Sequence, residues 1–349
     1  MLTYWLMFLA PASMALLLGQ GRKSNLMLFS FIGLFFALLI GFRYQVGGDW
    51  GNYLGHYNRM IGLSFDDAMQ GKKEPGHQVL NWLMARWDMG VYGVNIVYGT
   101  VFMIGLVKFS RDQLYPWIAM SVAVPYMVVV VAMGYSRQGI ALGIFMWAIV
   151  YLRQGKLKTY VVMILIAALF HKTAVILLPL GMFLYGKGMF LRILMIVPIV
   201  FGAWDLMLAD SADNLIYQYV DKDMQSAGAK IRVAMNLLPA ILFLLYRKKW
   251  KIEFDDYVFW YWIAIGSIIT MGLVGVASTA VDRIALYFIP IQLVVYARLP
   301  YLARNQISPS MMKLMIILGY TAVLFVWLNY ATHAYAWVPY NNILLMNIF

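Results

Sequence analysis

Cysteine is absent from the chain, and charged residues are scarce: 12% of 349 positions, against 63% hydrophobic. The first absence removes disulfides, thiolate metal sites and thiol nucleophiles together. The second excludes an ordinary soluble domain, in which about a quarter of residues are charged. Histidine is nearly missing too. His56, His77, His171 and His333 are too scattered for a metal cluster, and no HExxH, phosphate-loop or dinucleotide-binding glycine pattern occurs. Any chemistry therefore falls to carboxylates, imidazoles and arginines, with no metal and no cofactor expected.

What the chain has instead is long apolar runs from end to end. A helix needs roughly twenty residues to cross a hydrocarbon core of about 30 Å at 1.5 Å per residue. Runs at about 2–19, 24–42, 90–107, 114–133, 138–152, 159–170, 173–186, 189–208, 233–246, 257–277, 284–297 and 311–330 predict an all-α polytopic membrane protein of about twelve transmembrane helices, some short or re-entrant. The first run has no basic residue before it and no small-residue cleavage site after it, which predicts a retained helix, not a signal peptide. A single transmembrane domain is expected over 1–349, with outer loops at about 43–89 and 209–230 and no soluble domain.

Loop charge predicts an orientation. With the N-terminus outside, sixteen of the 27 basic residues fall on the inner side with four of the fifteen acids, so that side carries the whole formal excess of +12. That asymmetry matches the enrichment of Lys and Arg in cytoplasmic loops and attraction to anionic lipid. It is not a nucleic-acid signal.

Depth is where the sequence is most informative. Fifteen uncharged residues separate Arg137 from Arg153, a helix of about 22 Å, shorter than the core it must cross. Similar counting submerges His171 above Lys158, Arg283 above Arg298 and Asp205 beyond Arg192. A charge in hydrocarbon costs about 2.5–3.5 kcal/mol even on the lenient insertion scale, so such groups face a hydrated cavity or a partner. An outward-opening polar cavity follows. The competing reading makes 159–186 a re-entrant hairpin and leaves Arg137 and Arg283 as helix-end anchors. Arginines at helix N-termini suit phosphate oxygens, and a lipid-borne phosphate or pyrophosphate fits that depth.

GFRYQVGGDWGNYLGHY at 41–57, EPG at 74–76, SRQGIAL at 136–142, FHKTAVILLPL at 170–180 and DRIALYF at 282–288 occur in an order that resembles the EpsG-type branch of the Wzy polysaccharide polymerases. Gly41, Arg43, Gly47, Asp49 and Tyr53 match a G-x-R-x-x-x-G-x-D-x-x-x-Y pattern, followed by Glu74-Pro75-Gly76, Arg137-Gln138, and Phe170, His171, Thr173 and Ala174. Gly48 and Trp50 depart slightly from it. The resemblance implies a metal-independent glycosyltransferase of the bacterial inner membrane with its active site facing the periplasm. It would move a growing glycan from undecaprenyl pyrophosphate to the non-reducing end of a lipid-linked repeat unit. Donor and acceptor are then undecaprenyl-pyrophosphate-linked oligosaccharides, and a chain-length regulator protein is an expected partner.

On that reading Arg137 and Arg283, with Arg43 and Lys172, bind pyrophosphate, and the acceptor base comes from Asp49, His171 or Glu74. Imidazole, with an ordinary pKa near 6.5, suits proton transfer at neutral pH. Asp49 has an alternative role as a salt bridge to Arg43, and Pro75-Gly76 an alternative role as a turn opening the amphipathic stretch from His77 to Trp87. Trp50, Tyr53, Tyr57 and His77 are candidate sugar-binding rings, although Trp and Tyr also belt membrane interfaces. A lipid-linked oligosaccharide flippase is the non-enzyme alternative. A membrane acyltransferase acting on polysaccharide, with His171 as base, is the other enzyme.

Overall fold

The computed structural model describes residues 1–18, 26–70, 74–185, 198, 228–276 and 278–346, and among them every regular element is helical. The first half runs α1 (Leu2–Leu17), α2 (Leu26–Gly41), α3 (Trp50–Asn58), α4 (Phe65–Met69), α5 (Pro75–Arg86), α6 (Gly90–Arg111), α7 (Pro116–Ala123), α8 (Ser136–Arg153), α9 (Leu157–Phe170) and α10 (Leu178–Tyr185). The second runs α11 (Ala229–Leu245), α12 (Arg247–Glu253), α13 (Tyr257–Leu273), α14 (Ser278–Phe288), α15 (Pro290–Leu302), α16 (Pro309–Tyr330) and α17 (Ile343–Met346).

Of the expected spans, α6 and α16 are long and apolar enough to cross a membrane alone. The pairs α11/α12 and α14/α15 pass as single broken spans, bent by 74° and 40°. Pro290 explains the second bend, since a proline interrupts the ladder, and the run expected at 284–297 is thus two helices. The other apolar helices are shorter, α1, α2, α9 and α13 among them. Asp205, the span expected at 189–208 apart from residue 198, and residues 209–227 of the outer loop expected at about 209–230 lie outside the described residues.

Two devices place α8, whose first turn carries Arg137. Gly105 of α6 and Gly143 of α8 meet backbone to backbone, and a β-carbon at either would overlap the other helix's main chain. Small residues at a crossing permit this approach. At the far end of α8, Arg153 pairs with Asp112 and lies 3.2 Å from Asp256, whose carboxylate also accepts both terminal nitrogens of Arg298 at 2.6 Å. Arg298 is buried there, against the Trp250 and Phe254 rings. Its charge belongs to an ion cluster. In lipid as in a dry core, a buried charge needs such a partner.

Residues 157–185 fold back on themselves. Tyr160 of α9 donates to the Leu177 carbonyl at 2.5 Å and packs where Gly181 of α10 has no side chain. The hairpin turns at His171, followed by a 3₁₀ turn, Lys172–Leu177. On the same side of the molecule the segment after α2 is held by the C-terminal strap, with Tyr44 and Gly47 donating to the Asn341 and Ala336 carbonyls. Gly47 is the glycine that the motif needs. Its φ is +104°, and a β-carbon would overlap the Met133 carbonyl.

Candidate active site

α5 begins at Pro75, which suits a first helical position because its missing N–H would be unpaired anyway. That start fixes Glu74 at the N-cap, buried, pointing between two other segments. Its Oε2 accepts from Arg137 Nη1 at 2.5 Å. Its Oε1 lies 3.0 Å from His171 Nδ1 and 3.4 Å from the Lys172 backbone N–H. Three stretches far apart in sequence thus meet on one carboxylate.

The hydrogen bonds dictate the imidazole's tautomer. A carboxylate accepts only, so the His171 proton sits on Nδ1 and the Nε2 lone pair is free. That Nε2 is buried and has no hydrogen-bond partner among the described residues. The pattern is that of a carboxylate orienting a histidine so that its other nitrogen acts as base. Burial alone would push the Glu74 carboxyl up, but the His171 hydrogen bond and the Arg137 charge outweigh it and leave it below the ordinary value. Glu74 is therefore ionised at neutral pH.

Arg283 is exposed, and its charge is felt at His171. Its backbone carbonyl accepts from Gln138 Nε2 at 2.6 Å, which ties α14 to the start of α8. Two arginine segments expected to converge therefore do. Arg283 stands inside α14, not at its N-terminal end, and the neighbouring Asp282 pairs with Arg232 instead of with it.

Arg43 does not join this group. It is fully buried, donating to Val46 and Ile40 carbonyls, to Asn95 Oδ1 at 3.3 Å and to Ser136 Oγ at 2.8 Å. Those contacts consume its fork on the chain itself, clasping the end of α2 to α6 and α8. Asp49 makes no ion pair with it among the described residues, and its Oδ1 accepts from Asn52 at 3.3 Å.

The rings are also placed differently from a stacking platform. Tyr53 and Tyr57 are buried, their hydroxyls accepting from the Arg137 and Gly90 backbone N–H groups. Trp50 is half-buried against Tyr44, Tyr92 and the Arg43 guanidinium. His77 is buried too, with Nδ1 2.6 Å from the Tyr98 hydroxyl and Nε2 2.8 Å from His56 Nδ1. Burial, and next the Arg137 charge, lowers both imidazoles, His77 to about 3.

A cavity of about 510 Å³ adjoins the cluster, bounded by His56, Arg59, Asp67, Glu74, His77 and Arg137 over an apolar floor. Sequence reasoning missed the Arg59 and Asp67 contributions. The available signal was His77 and Asn81 one helical turn apart in an amphipathic segment, a spacing that puts both on one face. Among the described residues no group of three or more His, Asp or Glu side chains is arranged to hold a metal ion.

The EpsG family model matches residues 26–342 of the chain, which includes every segment of this cluster. No curated protein and no solved structure matches the chain.

Proposed function

The chain belongs to the EpsG family, and from that premise we propose that it is a membrane polysaccharide polymerase working at the outer face of the bacterial cytoplasmic membrane. Its substrates are two undecaprenyl-pyrophosphate-linked glycans, a growing donor and a single-unit acceptor. The observation that carries this reading is the meeting of Arg137 and His171 on Glu74, with Arg283 and Lys172 alongside.

The chemistry balances with these side chains. His171 Nε2 takes the proton of the acceptor hydroxyl as its oxygen attacks the donor's anomeric carbon. The bond from that carbon to the pyrophosphate oxygen breaks, and its electron pair leaves with undecaprenyl pyrophosphate. Arg137, Arg283 and Lys172 stabilise the charge developing on that leaving group, the kind of contribution that counts most where water is excluded. Glu74 holds the base in its tautomer and the arginine in place. Asp49 and Arg43 act indirectly, by shaping the loop and α8's first turn. One base and a good leaving group suit direct displacement with inversion. A cavity open to the exterior, within a bundle of about twelve crossings, is part of the same proposal.

The test is reconstitution. Purified chain mixed with lipid-linked repeat units extracted from cells lacking its gene is expected to yield a ladder of longer glycans without nucleotide sugar or acyl donor. Units that cross vesicles intact without lengthening would replace the polymerase with a flippase, and a requirement for an acyl donor with unchanged glycan length would replace it with an acyltransferase.

A further inference from the structure

Among the described residues, the charges that line the cavity beside the cluster balance. Arg59 and Arg137 supply two positive charges, Asp67 and Glu74 two negative ones, and both histidines are neutral at pH 7. A diphosphate needs cations that are not already compensated, and the remaining cations proposed for it, Arg283 and Lys172, do not line this space. Mixed donors and acceptors above the apolar Met60, Leu63 and Ala68 match an uncharged polyol instead. Its size falls within the ~300–1,000 Å³ of small-ligand sites.

The histidine pair faces that space through one nitrogen. Asn81 Nδ2 donates to the His77 carbonyl at 2.7 Å, which orients the amide, because an oxygen there would face another oxygen. The same Nδ2 lies over the His77 ring, 3.0 Å from Nδ1 and 3.5 Å from Nε2. The Tyr98 hydroxyl meets His77 Nδ1, and His77 Nε2 meets His56 Nδ1, so among the described residues the His56 nitrogen left for a ligand is Nε2. Three residues behind it fix where that nitrogen sits.

We infer that this cavity is the saccharide subsite of the proposed polymerase, in which His56 Nε2 hydrogen-bonds one sugar hydroxyl and Arg59 and Asp67 read neighbouring ones, while the diphosphate lies on the other side of Arg137. The inference rests on the polymerase reading above. A site built to hydrogen-bond hydroxyls discriminates strongly against analogues that lack them.

The experiment measures glycan-ladder formation by the full chain in nanodiscs against the concentration of extracted lipid-linked repeat units, with inorganic pyrophosphate as competing probe. His56→Ala is expected to raise the acceptor KM about tenfold with little change in kcat, while the pyrophosphate inhibition constant stays put. His56→Gln, whose amide can donate or accept near the position of Nε2, is expected to recover much of the loss. Arg59→Gln, at an exposed position, should raise KM several-fold and leave pyrophosphate inhibition unchanged. Arg283→Gln should do the opposite. Unchanged KM in both cavity variants, or weakened pyrophosphate inhibition in them, would overturn the subsite assignment. If the wild-type chain makes no ladder, the polymerase reading itself fails.

Discussion

Glu74→Gln is expected to cut polymer formation by about a thousandfold, leaving single-unit glycan as the main product. The substitution keeps the side chain's shape and one acceptor oxygen but removes the charge that compensates Arg137 and fixes His171 in its Nδ1–H tautomer. An amide at this position can donate to the imidazole instead of accepting, and the proton then moves to the nitrogen that should be the base. The same residue sets an acid limit. Its carboxyl is held below the ordinary 4.5 in the folded chain, so its stabilising contribution is complete above that value and is lost as the pH falls through the lower folded one. The melting temperature of the wild-type protein in detergent is expected to drop on acidification below about pH 4.5, with a smaller drop in Glu74→Gln.

His171→Ala is the second large effect. General-base removal costs about 10²–10⁴ in rate, and the loss should appear in kcat, with KM for the lipid-linked acceptor nearly unchanged. Asp49→Asn provides the contrast. Asp49 is half-exposed, forms no ion pair among the described residues and shares no hydrogen bond with Glu74 or His171, so ladder formation should fall by no more than about threefold. An Asp49→Asn enzyme as dead as His171→Ala would move the base to the loop after α2.

Much of this arrangement was legible in the sequence because lipid makes polar residues conspicuous. Depth counting expected Arg137, His171 and Arg283 to share one level, and the first two do meet on Glu74. Glu74 was legible only as a motif residue. Nothing in Glu-Pro-Gly says that the carboxylate will face two helices that come 63 and 97 positions later, since pairing at that range is decided by packing. Arg43 misled for the same reason: its charge is visible in sequence, and the four protein groups that consume it are not. The aromatics Tyr53 and Tyr57 sit on the buried face of α3, and the half-buried His56 and the exposed Arg59 of the same stretch carry the cavity wall. Broken spans were harder still. The run at 284–297 reads as continuous by hydropathy, and only the proline at 290 marks the bend.

The central claim is that Glu74 and Arg137 act as one unit, and a double-mutant cycle on ladder formation tests it most directly. Glu74→Gln, Arg137→Gln and the double variant should show rates in which the double is no slower than the worse single, a coupling of several kcal/mol. Losses that multiply, each substitution costing as much in the other's background as in the wild type, would contradict it.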